Sequence, residues 1–358
     1  METRKEVKFF LGANSKDGFY YLYDDFVSPE GGDFLWVIKG GPGSGKSSFM
    51  KKVATAAENN GLEVEYIHCS ADPDSLDGIY IPEKKVAYVD GTAPHVQEPK
   101  YPGIRDQYLD LGAFYRTEEM AHLLPEIIEL KKKYRSLYDR AYASLAAAAA
   151  VSAEGYPTIA GEPEQKKVLR RASGAAVREF GRKSGGPGRL RRRFISAITW
   201  KGKIFFEKTL DSLCDRVYTL DNEYGLADVY ISRIIEEASR RGIDCILCPD
   251  PLCPEKAEAL LVPGLRLGFL TINSKRGYSG DAYRHIRLDA IIPSDKIREV
   301  RPRIRSAAKL RDELIQEAVK TLSEAKAIHD QMEELYNPYL DFSRLYELAD
   351  KHIEMLLK

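Results

Sequence analysis

The chain has 358 residues, with 54 Lys and Arg balancing 54 Asp and Glu, and five cysteines. Balanced charge supplies no global field to draw nucleic acid or an anionic membrane, and no apolar run reaches the roughly 18–20 residues needed to span a bilayer. The length suggests two or three domains; the odd, scattered cysteines and the polar start Met1-Glu2-Thr3-Arg4 point to a reducing, cytoplasmic setting without a disulfide framework.

Taken in order, residues 7–27 alternate apolar and polar side chains. Residues 7–12 and 19–23 are expected strands, joined by a turn at Asn14-Ser15-Lys16-Asp17-Gly18. Phe34-Leu35-Trp36-Val37-Ile38 suits a buried strand. It runs into Gly40-Gly41-Pro42-Gly43-Ser44-Gly45-Lys46-Ser47-Ser48, which fits the phosphate-loop spacing G-x-x-x-x-G-K-[ST], and a helix-forming stretch follows up to Gly61. Glycines let backbone N–H groups converge on phosphate oxygens, and the helix N-terminus favours an anion. In that reading Lys46 reaches the outer phosphates and the Ser47 hydroxyl ligates Mg²⁺.

Residues 62–69 form a further expected strand, ending in a polar turn with Asp72 and Asp74. Val86-Ala87-Tyr88-Val89-Asp90 is an apolar strand closed by an aspartate, the place for a second Mg²⁺ ligand. Gly91 follows, where rapid hydrolases place a water-activating carboxylate. That favours slow hydrolysis, transfer to another acceptor, or a base from elsewhere, and His95 is a candidate γ-phosphate sensor or base. Residues 117–151 read as helix, with Tyr134, Tyr138 and Tyr142 at i, i+4 spacing. Residues 152–192 gain Gly and Pro, and eleven Lys or Arg lie between Lys166 and Arg193. This stretch is expected to be a basic linker that includes Gly185-Gly186-Pro187-Gly188.

The second half repeats the first. Residues 10–18 match 194–202, Gly61-Leu62-Glu63-Val64 matches Gly242-Ile243-Asp244-Cys245, and a long helical segment near 304–334 closes the second copy. At a constant offset, Lys46, Ser47 and Ser48 become Leu226, Ala227 and Asp228, and Gly41-Pro42-Gly43 becomes Asp221-Asn222-Glu223; further on, Asp90 is replaced by Thr271. The second copy is therefore expected to keep the fold without the site. Cys245, Cys248 and Cys253 cluster here, but the odd spacing of the first two on a strand favours buried thiols over a metal site. Two helices end the chain, broken at Asn337-Pro338 and resuming near Phe342.

At the phosphate loop, the His68-Cys69 strand end, Asp90-Gly91-Thr92-Ala93-Pro94-His95 and the restart at Phe194-Ile195-Ser196-Ala197-Ile198-Thr199, the chain resembles a family of uncharacterised two-domain P-loop ATPases. The likeness covers nearly the whole chain. It implies tandem P-loop domains that bind ATP, with residues 40–48 and Asp90 at the site, and here the second copy departs from it.

The expected architecture is α/β: duplicated P-loop NTPase-like domains with largely parallel sheets flanked by helices and extended by helical hairpins. The boundaries are 1–151, 152–192 for the linker, and 193–358. The expected activity is slow Mg²⁺-dependent ATP hydrolysis or a nucleotide switch, with GTP less favoured. Gly40 to Ser48 hold the nucleotide, Ser47 and Asp90 hold the metal, and Lys46, Asp90 and His95 do the chemistry. The alternatives are a small-molecule or nucleotide kinase with its acceptor site between the domains, or nucleotide-gated binding of nucleic acid through the basic run; the expected partner beyond the triphosphate is an unknown small-molecule acceptor or a protein.

Overall fold

The computed structural model describes residues 6–155, 159–181 and 186–358. The first sheet is built from β1 (Val7–Phe10), β4 (Phe34–Lys39), β5 (Glu65–His68), β6 (Leu76–Ile81), β7 (Val86–Asp90) and β8 (Asp106–Asp110), in the order β1-β5-β6-β7-β4-β8. β2 (Gly12–Ser15) and β3 (Gly18–Tyr21) form a separate hairpin. The expected single strand over 7–12 is thus two. β1 pairs parallel with β5, while β2 turns back on β3, held at the turn by the Ser15 hydroxyl donating to Gly18 O. The helix α1 (Lys46–Asn59) packs its buried Phe49, Met50 and Val53 under the sheet, in one core with Ile38, Ile79 and Tyr88.

The second sheet repeats this plan. It comprises β9 (Leu190–Arg192), β12 (Arg216–Asp221), β13 (Cys245–Pro249), β14 (Ala257–Val262), β15 (Leu267–Ile272) and β16 (Arg284–Ile286), in the order β16-β12-β15-β14-β13-β9. Its hairpin is β10 (Ser196–Thr199) with β11 (Gly202–Phe205), and its core helix is α6 (Ala227–Arg240), preceded by the short α5 (Glu207–Leu213). Even the residue forced to positive φ before a strand recurs, as Lys85 (φ 53°) and Arg266 (φ 49°). The chain is therefore a duplicated α/β protein. Its sheets are mixed where largely parallel ones were expected: β6 and β14 each run antiparallel to both neighbours. The cause is local. β5 returns to β6 through a seven-residue turn, too short for the dozen or more residues of a parallel crossover.

The helices complete the two units in an interleaved way. α2 (Thr117–Met120) leads into α3 (Leu124–Gly155), and α4 (Glu162–Phe180) packs on α6. α7 (Ser294–Tyr336) is one helix of 43 residues, and α8 (Phe342–Leu357) packs on α1. One compact unit comprises Met1–Ser144, Ala197–Ile204 and Gln316–Lys358; the other comprises Leu145–Ser196 and Phe205–Ile315. The units thus depart from the expected consecutive boundaries at 151 and 193, since α3 and α7 each begin in one and end in the other.

The basic stretch expected to be a linker is largely helix. α4 buries Val168, Ala172, Ala175, Ala176 and Phe180 at helical spacing, and its Lys and Arg residues are exposed. Of the expected linker glycines, Gly185 lies outside the described residues; Gly188 lies against Ile243, where a side chain would have no room. Cys245, Cys248 and Cys253 are buried free thiols. Among the described residues no helix is long and apolar enough to cross a membrane.

Two outcomes follow from α8. Leu345 is fully buried in the first core, so Leu345→Ala should cost about 2–5 kcal/mol, read by denaturant or thermal unfolding. His352 is buried against Trp36, Phe49 and Tyr88, and burial pushes its imidazole from 6.5 down to about 4. The fold holds it neutral, so its contribution is present above pH about 6.5 and lost as pH falls towards 4. Melting temperature should drop across that window in the wild type, and less steeply in His352→Gln.

Candidate functional site

β4 lies between β7 and β8, parallel to both, so its C-terminal end opens among three strand ends pointing the same way. The glycine-rich loop leaves from there and enters α1 through Gly45, at φ 76°. A side chain at Gly45 would also meet Leu345 Cδ1 at 2.6 Å. No side chain caps the helix N-terminus, so its first-turn N–H groups form an anion-favouring pole.

Lys46 folds back over the loop. Its Nζ donates to Gly40 O and Gly41 O, each at 3.0 Å, and lies 3.6 Å from Asp90 Oδ2. Asp90 closes β7, and its Oδ1 accepts from the Thr92 N–H at 2.8 Å and the Thr92 hydroxyl at 2.6 Å. One carboxylate oxygen is thereby fixed and the other faces Lys46. The Ser47 hydroxyl accepts from the Leu76 N–H at 3.0 Å, which binds the start of β6 to the start of α1.

These groups line a cavity of about 390 Å³ that includes Pro42, Gly43, Ser44, Gly45 and Ser48. Gly40 and Gly41 stand behind it as acceptors for Lys46. A broad surface trough of about 540 Å³ near Lys132, Ser136 and Glu324 lies elsewhere and holds none of the expected residues.

The cavity also contains groups the sequence reading passed over. Glu333, on the last turns of α7, accepts the Gly43 N–H at 3.3 Å, a carboxylate seated where an anion belongs. Lys326 lies 3.6 Å from Asp72, and His329 lies against the Tyr134 ring at 6.0 Å between centroids. Burial lowers the His329 pKa, favouring the neutral ring. Cys69 lines the cavity as well, but burial pushes its thiol far above the range in which a thiolate forms. Asp77, the second residue of β6, is 4% exposed and lines the cavity. Its signal was a lone aspartate in an apolar strand, Leu76-Asp77-Gly78-Ile79.

His95 stands behind the cavity wall, outside the lining residues. It is 6% exposed, stacks on Tyr23 at 4.6 Å, and places Nε2 3.6 Å from Asp77 Oδ2. The Tyr23 hydroxyl donates to the same oxygen at 2.9 Å. Burial raises the Asp77 carboxyl; the neighbouring His95 opposes that, and Asp90 adds to it. Asp74 is exposed and paired with Lys201.

The second unit lacks this arrangement, and its hydrogen bonds correct the residue correspondence. The Ala257 N–H donates to Asp228 Oδ1 at 2.7 Å, as Leu76 does to Ser47. Asp228 therefore stands for Ser47 and Ala227 for Lys46, one residue from the constant-offset match. Arg276 pairs with Glu258 and donates to Thr271 O and Oγ1, at 2.5 and 2.6 Å. Glu258 and Thr271 hold the places of Asp77 and Asp90 by strand register, so one guanidinium fills the corresponding pit.

Comparison of the chain with family models, curated proteins and solved structures returns no match in any of the three. The site is therefore read from its own geometry. Replacing Glu333 by Gln removes a negative charge from the loop and should tighten binding of inorganic pyrophosphate roughly fivefold, measured by titration calorimetry against the wild type.

Proposed function

We propose that the first unit binds a magnesium nucleoside triphosphate on residues 40–48 and either hydrolyses it slowly or uses it as a switch. The observation that carries this reading is the convergence on one cavity of an uncapped helix N-terminus, Lys46, Ser47 and Asp90. In it, backbone N–H groups of the loop cradle the phosphates, and Lys46 exchanges its carbonyl acceptors for phosphate oxygens. The Ser47 hydroxyl and the Asp90 carboxylate are hard oxygen donors suited to Mg²⁺, and Thr92 fixes the Asp90 carboxylate through its second oxygen. The metal would neutralise charge on the outer phosphates.

This reading makes the first unit P-loop NTPase-like, with ATP preferred over GTP, and makes the second a structural or regulatory partner. The slow rate follows from Gly91. A Cβ there would lie 2.4 Å from Val37 Cγ1, so the carboxylate that follows the metal-binding aspartate in rapid hydrolases has no room.

A second reading, phosphoryl transfer to a small-molecule acceptor, draws on the far wall of the same cavity. Tyr134, Tyr138, His329 and the Lys326–Asp72 pair offer ring faces and charges away from the loop.

A thermal-shift series with ATP, GTP and magnesium tests the site. At 100 times Kd a ligand adds about 2.7 kcal/mol, or roughly 5–10 °C for a unit of this size. Wild type should show that rise and Lys46→Ala should lose it. A wild type indifferent to every triphosphate would end the reading. Phosphate release from ATP alone, against release only with an added acceptor, separates hydrolysis from transfer.

A further inference from the structure

This inference rests on the triphosphate reading above and asks where the missing base lies. Four carboxylates line the cavity: Asp72, Asp77, Asp90 and Glu333. All four have partners in the structure, Asp77 among them, with the Tyr23 hydroxyl, His95 and the Cys69 thiol. Asp90 faces Lys46 and is fixed by Thr92. Asp72 is tied to Lys326 and accepts the Ser75 hydroxyl at 3.0 Å. Glu333 accepts the Gly43 N–H and lies 3.9 Å from His329.

Asp77 differs in placement. It opens on the cavity one residue after Leu76, whose N–H is held by Ser47, so the hydrogen bond that seats the proposed metal-binding hydroxyl also sets the position of this carboxylate. Behind it stand Tyr23 and His95, both on Oδ2, and both are held in place by stacking. A buried carboxylate backed by a hydroxyl and an imidazole keeps a fixed orientation at low exposure, as a proton acceptor requires.

The second unit shows how this pair looks once the site is gone. There the carboxylate is Glu258 and the group beside it is Arg276, a permanent cation that also reaches across to Thr271. An arginine cannot give up its proton and it fills the pit. The unit with Lys46 and Asp90 keeps an imidazole behind its carboxylate and leaves the pit open.

We propose that Asp77 is the general base for hydrolysis in the first unit, with His95 and Tyr23 as its positioning residues. The water oxygen bonds to the terminal phosphorus as the bond to the bridging oxygen breaks, and that electron pair leaves with the nucleoside diphosphate. The water proton passes to the Asp77 carboxylate and then to solvent. Asp77 thus takes the role that the room at Gly91 denies to a neighbouring side chain.

The test is a split between binding and turnover on the full-length chain, with ATP and magnesium. In Asp77→Asn the thermal shift with ATP should match the wild type while phosphate release falls about 100-fold or more. A second pair of changes guards against a variant that fails to fold. Asp77→Asn combined with His95→Gln replaces the pair by two neutral hydrogen-bonding amides without a guanidinium, and should bind ATP while releasing phosphate equally slowly. Release within threefold of wild type in a folded variant that binds ATP overturns the proposal. So does equal loss of ATP binding and turnover, which marks the pair as structural, or a wild type that binds ATP and releases no phosphate. A wild type that gives no thermal shift with any triphosphate sinks the nucleotide reading itself, a different result from each of these.

Discussion

The mouth of the glycine-rich loop depends on a hydrophobic contact. Leu345, from α8 near the end of the chain, lies where a side chain on Gly45 would have to go. The same leucine is fully buried with Phe49, Val53 and Ile38, the residues that hold α1 under its sheet. Position 45 must therefore be glycine twice over, for its positive φ and for the room that Leu345 takes. The contact links residues 300 apart, so the shape of the loop depends on α8 being packed on α1. α7 contributes Glu333 over the loop itself, and Asn337, just past the end of α7, lies against Gly43.

Duplication gives the fold its economy, and divergence separates the charges placed on the two copies. Both units use the same strand order, the same positive-φ turn and the same hydrogen bond from the start of β6 or β14 to the start of the core helix. They differ in charge placed on that scaffold. In the first, Lys46 is held by two carbonyls and faces Asp90. In the second, Asp228 is half-buried at the helix start, where burial raises its carboxyl, and burial raises Asp289 to about 6, with Asp221 and Glu223 adding to it. Several carboxylates around a helix N-terminus compete with any phosphate for the same N–H groups.

Much of this was legible in the residues. The loop spacing, the strand before it, the aspartate closing β7 and the break at Asn337-Pro338 all have local signals, and each sits where those signals placed it. The repeat was visible too, because glycines at turns and apolar strand runs survive divergence. What local patterns could not carry was partnership. β1 and β2 read as one strand because nothing in the sequence says which sheet each joins. α4 read as a linker because its five buried apolar positions lie among eleven basic residues of the surrounding stretch. Glu333 was invisible as a neighbour of Gly43, being 290 residues away. The correspondence at Ser47 slipped because the loops differ in length, and only the hydrogen bonds to Leu76 and Ala257 reset it.

The buried acid–base pair sharpens the contrast between the units. A carboxylate at 4% exposure is costly unless a cation or donors stand beside it. The second unit meets that cost with a guanidinium, whose charge is independent of pH, together with the Ser196 hydroxyl at 2.5 Å. The first meets it with a phenol and an imidazole, groups that hold Asp77 by hydrogen bonding and leave its net charge free to respond to what enters the cavity. A structural anchor alone is better served by the guanidinium of the second unit, since a permanent ion pair needs no proton to be complete. Retaining the softer partner beside the one cavity that also holds Lys46 and Asp90 makes sense if the carboxylate has to exchange a proton there.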